Sequence, residues 1–341
     1  ARVSGKTEMR RKRRKNRILG FIDSLNNIFR WCLMVFLVIA LIVLAALVSA
    51  SIYFFFVAFV RKKNETADDI DAKENDFLNE YRPVIKEGLR FITEQPQRWV
   101  YTKSFDGLRL AARYFDVGTH KTVILFHGYR SSANRDFSCA VKLYCNAGFN
   151  VLLADQRSHG KSEGRLITFG VKERYDVLSW VNYYMQNIDK NAEIVLGGMS
   201  MGATTVLLAS GLTLPPNVKG IIADCGFTSP TAIIKKVARQ AFHINAGFFL
   251  PVMDIMCRIT GRFGIYGVST EKALAKTKLP VLFIHGKSDN FVPCEMSDRG
   301  YKSAAGEKEI LLVDGADHGM SYLIDTKTVE EHLLGFLKKI S

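Results

Sequence analysis

The feature that most constrains the fold of this chain is a short glycine-rich turn between a predicted strand and a predicted helix. The turn is Gly198-Met199-Ser200-Met201-Gly202, with the apolar run 193–197 before it and the run 203–209 after it. A Gly-x-Ser-x-Gly turn at a strand-to-helix junction holds its serine in a strained backbone conformation, with the hydroxyl exposed at the edge of a sheet. The alternative is an inert serine in an ordinary glycine-rich turn.

Strands and helices alternate on both sides of this turn. Candidate strands are 99–103, 108–115, 122–126, 150–154, 193–197, 218–223, 280–284 and 309–313. The later ones are near-continuous runs of Val, Ile and Leu, as expected for parallel strands that are covered on both faces. Helices are predicted at 132–147, 171–186, 201–212, 294–305 and 322–340. The pattern predicts a mostly parallel eight-stranded sheet with helices on both faces.

One connection in this pattern is much longer than the others. It joins the strand that ends near Asp224 to the strand that begins at Pro280, and we predict a helical lid at about residues 225–279. Its Phe, Leu and Met side chains would suit an acyl chain or a membrane surface. The alternative is that these side chains complete the core.

Residues 31–60 form an uncharged apolar segment. As a helix this segment would be about 45 Å long, enough to cross a hydrocarbon core of about 30 Å with some tilt. The small residues Val48-Ser49-Ala50 resemble a signal-peptide cleavage site, but the apolar run continues to Val60. An uncleaved transmembrane helix is therefore favoured over a signal peptide.

The distribution of charge predicts the orientation of this helix. Residues 1–30 contain ten Lys and Arg against two Asp and Glu, whereas only the basic residues 61–63 follow the segment closely. We expect a cytoplasmic N-terminus, a single pass through the cell membrane and an extracytoplasmic C-terminal domain. The basic cluster is expected to contact lipid and not nucleic acid, because it directly precedes the apolar segment. A polar, acidic linker is predicted at 61–80, followed by the domain at 81–341.

Two further residues have the chemistry that a serine nucleophile needs, which is a base and a partner that orients the base. Asp289 follows the predicted strand 280–284, and His318 follows the last predicted strand. Both are therefore expected at the edge of the sheet where Ser200 lies. Asp317 is a rival acid, but adjacent side chains in an extended loop point apart, so Asp289 is the preferred candidate.

An acyl-transfer reaction also needs donors for an oxyanion. We expect the backbone N–H of Met201, at the start of a helix, to be one of them. The second candidate is the N–H of Tyr129, in the loop Phe126-His127-Gly128-Tyr129 after a predicted strand. His127 is interpreted as a structural residue that orders this loop. The six cysteines contain no Cys-x-x-Cys pair, so a zinc site is not supported. The expected reaction of a serine nucleophile requires no metal and no cofactor.

Taken together, these motifs resemble α/β hydrolases of the bacterial serine-hydrolase branch, related to monoglyceride lipases, serine aminopeptidases and α/β-hydrolase-domain proteins. The resemblance covers about residues 77–341 and includes the segments 155–164 and 224–229. It implies the α/β-hydrolase fold, with Ser200 as nucleophile, Asp289 as acid and His318 as base. Residues 81–341 would then be the catalytic domain.

The expected function is that of a membrane-anchored serine hydrolase, which cleaves carboxylic esters through an acyl-enzyme. Its expected partners are a small-molecule ester or a lipid-like substrate, and membrane lipid around residues 31–60; the sequence indicates no particular protein partner. A serine peptidase on the same scaffold is one alternative, and a catalytically inactive scaffold is another. Dehalogenase and epoxide-hydrolase chemistry is excluded, because those enzymes use an aspartate where this chain has Ser200.

Overall fold

The computed structural model describes residues 2–62 and 80–340, without the side chains of residues 2–8 and 10. The chain divides into two units, Ala1–Tyr53 and Phe54–Ser341. Residues 2–53 of helix α1 (Arg2–Phe59) lie in the first unit, and the last six residues of the helix lie in the second. Most of the predicted linker 61–80 lies outside the described residues.

Helix α1 is long and apolar enough to cross a membrane. Its side chains from Trp31 to Leu44 are mostly exposed. An α-helix makes its backbone hydrogen bonds within the segment, which is what a hydrocarbon environment requires. The length and composition of α1 therefore agree with the predicted transmembrane helix.

The second unit is built on one sheet of eight strands. The strands are β1 (Arg98–Lys103), β2 (Arg109–Phe115), β3 (Lys121–Phe126), β4 (Asn150–Asp155), β5 (Glu193–Met199), β6 (Val218–Asp224), β7 (Val281–Gly286) and β8 (Lys308–Val313). Their order is β1-β2-β4-β3-β5-β6-β7-β8. Strand β2 is antiparallel to both its neighbours, and the other neighbouring pairs are parallel. The eight predicted strands are confirmed.

Helices cover both faces of this sheet. They are α2 (Arg82–Glu94), α3 (Ala133–Asn146), α4 (Glu173–Asn187), α5 (Met201–Ala209), α6 (Pro230–Phe242), α7 (Leu250–Gly261), α8 (Thr270–Leu274), α9 (Glu295–Ser303), α10 (Ser321–Ile324) and α11 (Thr326–Ile340). Strand β3 shows why two layers form, because its side chains alternate between two cores. Ile124 packs in the core that contains Trp180 of α4, and Val123 packs in the core that contains Phe137 of α3.

The C-terminal helix differs from its prediction. One helix was expected over 322–340, but the structure has α10 and α11 with Asp325 between them. The Asp325 carboxylate accepts a hydrogen bond from the N–H of Thr328, at 3.1 Å. A side-chain acceptor at this position caps a new helix, which explains the break.

Three helices and a short 3-10 turn at Ala246–Phe248 occupy the predicted lid. The hydroxyl of Ser229 caps α6 by accepting from the N–H of Ala232. Some of the apolar lid residues complete the core, and others are exposed. Leu250 and Met253 are buried in a third core cluster, whereas Ile255 and Ile259, one turn apart on α7, are exposed.

Candidate active site

The predicted turn around Ser200 joins β5 to α5. Ser200 has φ +55° and ψ −114°, a conformation that a residue with a side chain adopts only at an energetic cost. A Cβ atom on Gly202 would overlap the carbonyl of Phe126, so only glycine fits at that position. The Ser200 N–H donates to the carbonyl of Asp224 at 2.8 Å, and the Ser200 carbonyl accepts from the N–H of Thr204 at 3.0 Å. The fold thus holds Ser200 at the carboxyl end of β5.

The structure brings together the three side chains that the sequence analysis selected. His318 Nε2 lies 3.0 Å from Ser200 Oγ, and His318 Nδ1 lies 2.7 Å from Asp289 Oδ2. Asp289 and His318 lie in the loops after β7 and β8, at the same edge of the sheet as Ser200. When Nδ1–H donates to the carboxylate, Nε2 has a lone pair that faces the Ser200 hydroxyl. This is the arrangement in which an imidazole accepts a proton from serine.

The Asp289 carboxylate is buried and fully hydrogen-bonded. Its Oδ1 accepts from the backbone N–H groups of Phe291 at 2.9 Å and Val292 at 2.7 Å. Burial raises the pKa of Asp289, but the hydrogen bonds from His285 and His318 outweigh burial and hold that pKa at about 2. Asp289 is therefore ionised at neutral pH.

His285 is a partner of Asp289 to which the sequence analysis gave no role. Its Nε2 lies 3.1 Å from Asp289 Oδ2 and 2.8 Å from the Val292 carbonyl. Since a carbonyl only accepts, Nε2 carries the proton, and Nδ1 accepts from the Ser297 hydroxyl at 2.7 Å. His285 thus fixes the orientation of the carboxylate. The sequence feature that could have indicated this role is a histidine at the end of a buried strand, four residues before the candidate acid.

Asp317, the rival acid, contacts backbone and not the imidazole. Its Oδ1 accepts from the N–H of its neighbour His318 at 2.8 Å and from the N–H of Asn290 at 3.0 Å. These two bonds join the loop after β7 to the loop after β8. Asp317 therefore orders the loops that carry Asp289 and His318.

The loop after β3, residues 127–131, lies beside Ser200 and contains Tyr129, the predicted oxyanion donor; after that prediction we name it the oxyanion loop. A Cβ atom on Gly128 would lie 3.4 Å from the Cβ atom of Ser200. The Gly128 N–H donates to Asp136 Oδ2 at 2.6 Å. The buried ring of His127 contacts the carbonyl of Gly128 at 2.8 Å and accepts from the N–H of Gln156 at 3.1 Å. His127 thus orders the loop.

The N–H of Met201 is in the first turn of α5, where helical N–H groups have no partner within the helix.

Comparisons with known proteins agree with this fold. The Hydrolase_4 family (serine aminopeptidase, S33) matches residues 118–258. The uncharacterized protein YqkD of Bacillus subtilis (strain 168) is 26% identical over 307 residues, which are 90% of this chain and 98% of YqkD. The esterase Pf2001 of Pyrococcus furiosus has a TM-score of 0.59 at 22% identity, over 72% of this chain and 92% of the esterase. Est1E of Butyrivibrio proteoclasticus, solved with ferulic acid bound, has a TM-score of 0.56 at 22% identity, over 71% of this chain and 98% of Est1E.

The chain has the α/β-hydrolase fold. The strand order, the strained serine at the end of β5 and the family match all support this assignment.

One group of side chains near Ser200 has metal-binding chemistry. Cys225 Sγ, an oxygen of Asp289 and a ring nitrogen of His318 lie within 4.8 Å of one another. Burial raises the pKa of the Cys225 thiol well above its usual value, which favours the neutral thiol over the thiolate that binds metals. Asp289 and His318 are already hydrogen-bonded to each other. The chemistry of this group favours the Ser200–His318–Asp289 series over a metal centre.

A second carboxyl group, that of Asp224, lies at the end of β6 close to the same residues. Its Oδ1 is buried and has no hydrogen-bond partner among the described residues. Burial raises the pKa of Asp224, the nearby His285 and His318 lower it, and the balance is about 6. Asp224 is therefore partly protonated just below neutral pH.

We expect Asp224→Asn to remove part of the pH dependence of unfolding. The native state binds this proton more tightly than the unfolded state. The contribution of Asp224 to the free energy of unfolding is therefore complete below the unfolded pKa of about 3.9, and it is lost as pH rises through about 6. This shift in the pKa of Asp224 corresponds to about 3 kcal/mol in the free energy of unfolding. Thermal unfolding between about pH 4 and about pH 8 measures this loss in the wild type, and the variant should lack it. Asp314→Asn is the control, since that side chain is 85% exposed. Equal pH dependence in both variants would contradict the expectation.

Proposed function

We propose that this α/β hydrolase is a membrane-anchored serine hydrolase that cleaves carboxylic esters through an acyl-enzyme. The observation that carries the proposal is the hydrogen-bonded series from Ser200 Oγ to His318, at 3.0 Å, and from His318 to Asp289, at 2.7 Å. A hydroxyl, an imidazole and a buried carboxylate in this order form the arrangement that converts serine into a nucleophile.

The reaction follows from these atoms. Ser200 Oγ attacks the ester carbonyl carbon while His318 Nε2 takes the hydroxyl proton. The Asp289 carboxylate holds the Nδ1–H and stabilises the imidazolium. The backbone N–H groups of Met201 and Tyr129 donate to the oxyanion. The imidazolium then protonates the leaving alkoxide, which departs as the alcohol. Water, deprotonated by His318, attacks the acyl-enzyme and releases the acid and free Ser200.

The environment of the site favours an apolar acyl group. Met201, Phe227 and Val292 are buried in the same cluster as the lid residues Leu250 and Met253. Of the structural relatives, Pf2001 is named an esterase, and Est1E was solved with ferulic acid bound. An apolar cluster next to the nucleophile would stabilise an acyl chain by removing its surface from water.

A peptidase is the second candidate, because the matching family is described as serine aminopeptidase. An aminopeptidase needs an acidic group that binds the substrate's ammonium. Both acidic residues of the predicted lid are already engaged by arginines, Asp254 by Arg258 at 2.7 Å and Glu271 by Arg299 at 3.1 Å. The lid therefore favours an ester over a peptide.

Membrane anchoring is the remaining part of the proposal. It is supported by the uncharged segment 31–60, by its helical structure and by the basic residues that precede it. The charge distribution favours a cytoplasmic N-terminus and an extracytoplasmic catalytic domain.

The test uses the full chain in detergent micelles. We expect kcat/KM for p-nitrophenyl acyl esters to exceed kcat/KM for aminoacyl p-nitroanilides by about 100-fold or more, because ester hydrolysis needs no ammonium-binding group. A fluorophosphonate probe should label the peptide that contains Ser200, as mass spectrometry would show. Preferred turnover of the anilides would establish the peptidase instead. Folded protein that neither labels nor turns over any substrate would establish an inactive scaffold.

A further inference from the structure

The last turns of α1 are part of the catalytic unit. Residues 54–61, which we name the helix end, fall in that unit and not in the N-terminal one. Phe55 and Phe59 are 2% and 0% exposed, whereas Phe56 is 56% exposed. Phe55 and Phe59 are one turn apart, so one face of the helix end is buried, and the exposed Phe56 lies beside that face. The buried face belongs to the core cluster that contains Met201.

Backbone hydrogen bonds also join the helix end to the segment 165–167. The Ile167 N–H donates to the carbonyl of Phe59 at 2.7 Å, and the Arg61 N–H donates to the carbonyl of Arg165 at 2.8 Å. The Arg61 guanidinium donates to the carbonyl of Gly160 at 2.7 Å and to that of Ser162 at 2.9 Å. The helix end is therefore held in one register on the catalytic unit.

Two consecutive side chains of the oxyanion loop reach the same helix end. The Tyr129 hydroxyl donates to the carbonyl of Ala58 at 2.9 Å. The Arg130 guanidinium donates to the carbonyls of Val57 at 2.6 Å and Val60 at 3.0 Å. The last carbonyls of a helix have no partner within the helix, so side-chain donors at this point satisfy them. The oxyanion loop thus caps the helix end.

The backbone of the oxyanion loop needs this support. Arg130 has φ +50°, in the left-handed region that is unfavourable for a residue with a side chain. Aromatic contacts add to the support, because the ring of Phe59 packs edge-on against Phe169 at 5.2 Å, and Phe169 stacks on Tyr129 at 5.1 Å. Phe169 itself has φ +53°. The helix end therefore contacts Tyr129 directly, through the hydrogen bond to Ala58, and indirectly, through the ring of Phe169.

We propose that the helix end is a positioning element of the oxyanion loop. The proposal rests on the proposed function, in which the Tyr129 N–H binds the oxyanion. Such a donor must lie about 2.7–3.1 Å from the oxyanion, and a displacement of about 1 Å can cost about 100-fold in rate. Loss of the contacts at residues 54–61 would move the donor while the reacting side chains stay in place.

Paired variants of the full chain in detergent micelles test the proposal. Phe59→Ala should lower kcat for a short acyl ester about tenfold with KM changed less than about twofold, because an oxyanion donor acts on the transition state. Phe56→Ala is the matched control, the same change at an exposed side chain, and should keep kcat within about twofold. Phe59→Leu should restore most of the rate, because it refills most of the cavity. Tyr129→Phe, which removes only the hydroxyl, should lower kcat about threefold to fivefold.

Hydrogen exchange gives a readout that needs no activity. Amides of the oxyanion loop should exchange faster in Phe59→Ala than in Phe56→Ala, whereas amides of β5 should not differ. If Phe59→Ala fails to fold, the comparison is made between Tyr129→Phe and Phe56→Ala. Equal kcat and equal loop exchange in the Phe59 and Phe56 variants would overturn the proposal. An inactive wild type would overturn the proposed function, and the exchange comparison would still decide whether the helix end holds the loop.

Discussion

Ser200→Ala is expected to lower kcat/KM for a short acyl ester by about 10⁵-fold to 10⁶-fold, the scale of nucleophile removal in serine hydrolases. The reason is that Ser200 Oγ is the atom that lies 3.0 Å from His318 Nε2, where it loses its proton and gains the acyl group. The turn around residue 200 should survive the change, because its backbone bonds to Asp224 and Thr204 do not involve the hydroxyl. Steady-state ester hydrolysis and fluorophosphonate labelling of the purified variant measure the loss.

Ser179→Ala is the matched control for this experiment. Ser179 is a half-buried serine on α4, and its hydroxyl donates to the carbonyl of Tyr175 at 3.2 Å. Its removal should change kcat/KM less than about twofold, since no reacting group contacts it. Labelling of Ser200→Ala at the wild-type level, or loss of less than about 100-fold in its ester turnover, would place the nucleophile elsewhere.

Much of the fold is predictable from the sequence because the sheet is buried on both faces. The central strands are continuous apolar runs, and every side chain of β4 and of β7 is buried. Such runs are bounded by turns and alternate with helices, so their positions in the sequence are clear. The observed strand ends differ from the predicted ends by at most two residues.

The convergence of the candidate site is predictable for a related reason. Ser200, Asp289 and His318 each lie within five residues after a strand, and these strands, β5, β7 and β8, run parallel in one sheet. The carboxyl ends of parallel strands meet at one edge, so the sequence order of strands and loops suffices to bring the three side chains together.

The role of the helix end is not predictable from the sequence. Residues 54–60 are apolar on all sides, so Phe55, Phe56 and Phe59 have the same apolar surroundings in the sequence whether lipid or protein covers them. The contact from Tyr129 to Ala58 joins residues that are 71 positions apart. His285 illustrates the same limit, because its hydrogen bond to Asp289 depends on a ring orientation that no sequence pattern specifies.

Asp289→Asn is expected to lower kcat/KM by about 10³-fold to 10⁴-fold, as replacements of this kind do in serine hydrolases. The N–H groups of Phe291 and Val292 require an acceptor, so the amide oxygen takes the place of Oδ1. The amide NH₂ then takes the place of Oδ2 and donates to His318 Nδ1. The imidazole proton is forced onto Nε2, which no longer accepts from Ser200. The imidazolium also loses the negative charge that stabilises it. Ester hydrolysis together with thermal unfolding separates this loss from loss of the fold.

Asp317→Asn makes the same chemical change at the residue next to His318, and it should lower kcat/KM less than about tenfold. Among the described residues, the Asp317 oxygen accepts from the backbone N–H groups of His318 and Asn290, and an asparagine oxygen can accept the same two bonds. The tautomer of His318 is therefore unchanged in this variant. If Asp317→Asn caused the larger loss and Asp289→Asn the smaller one, the acid would be Asp317. The buried carboxylate of Asp289 would then have a structural role, together with His285.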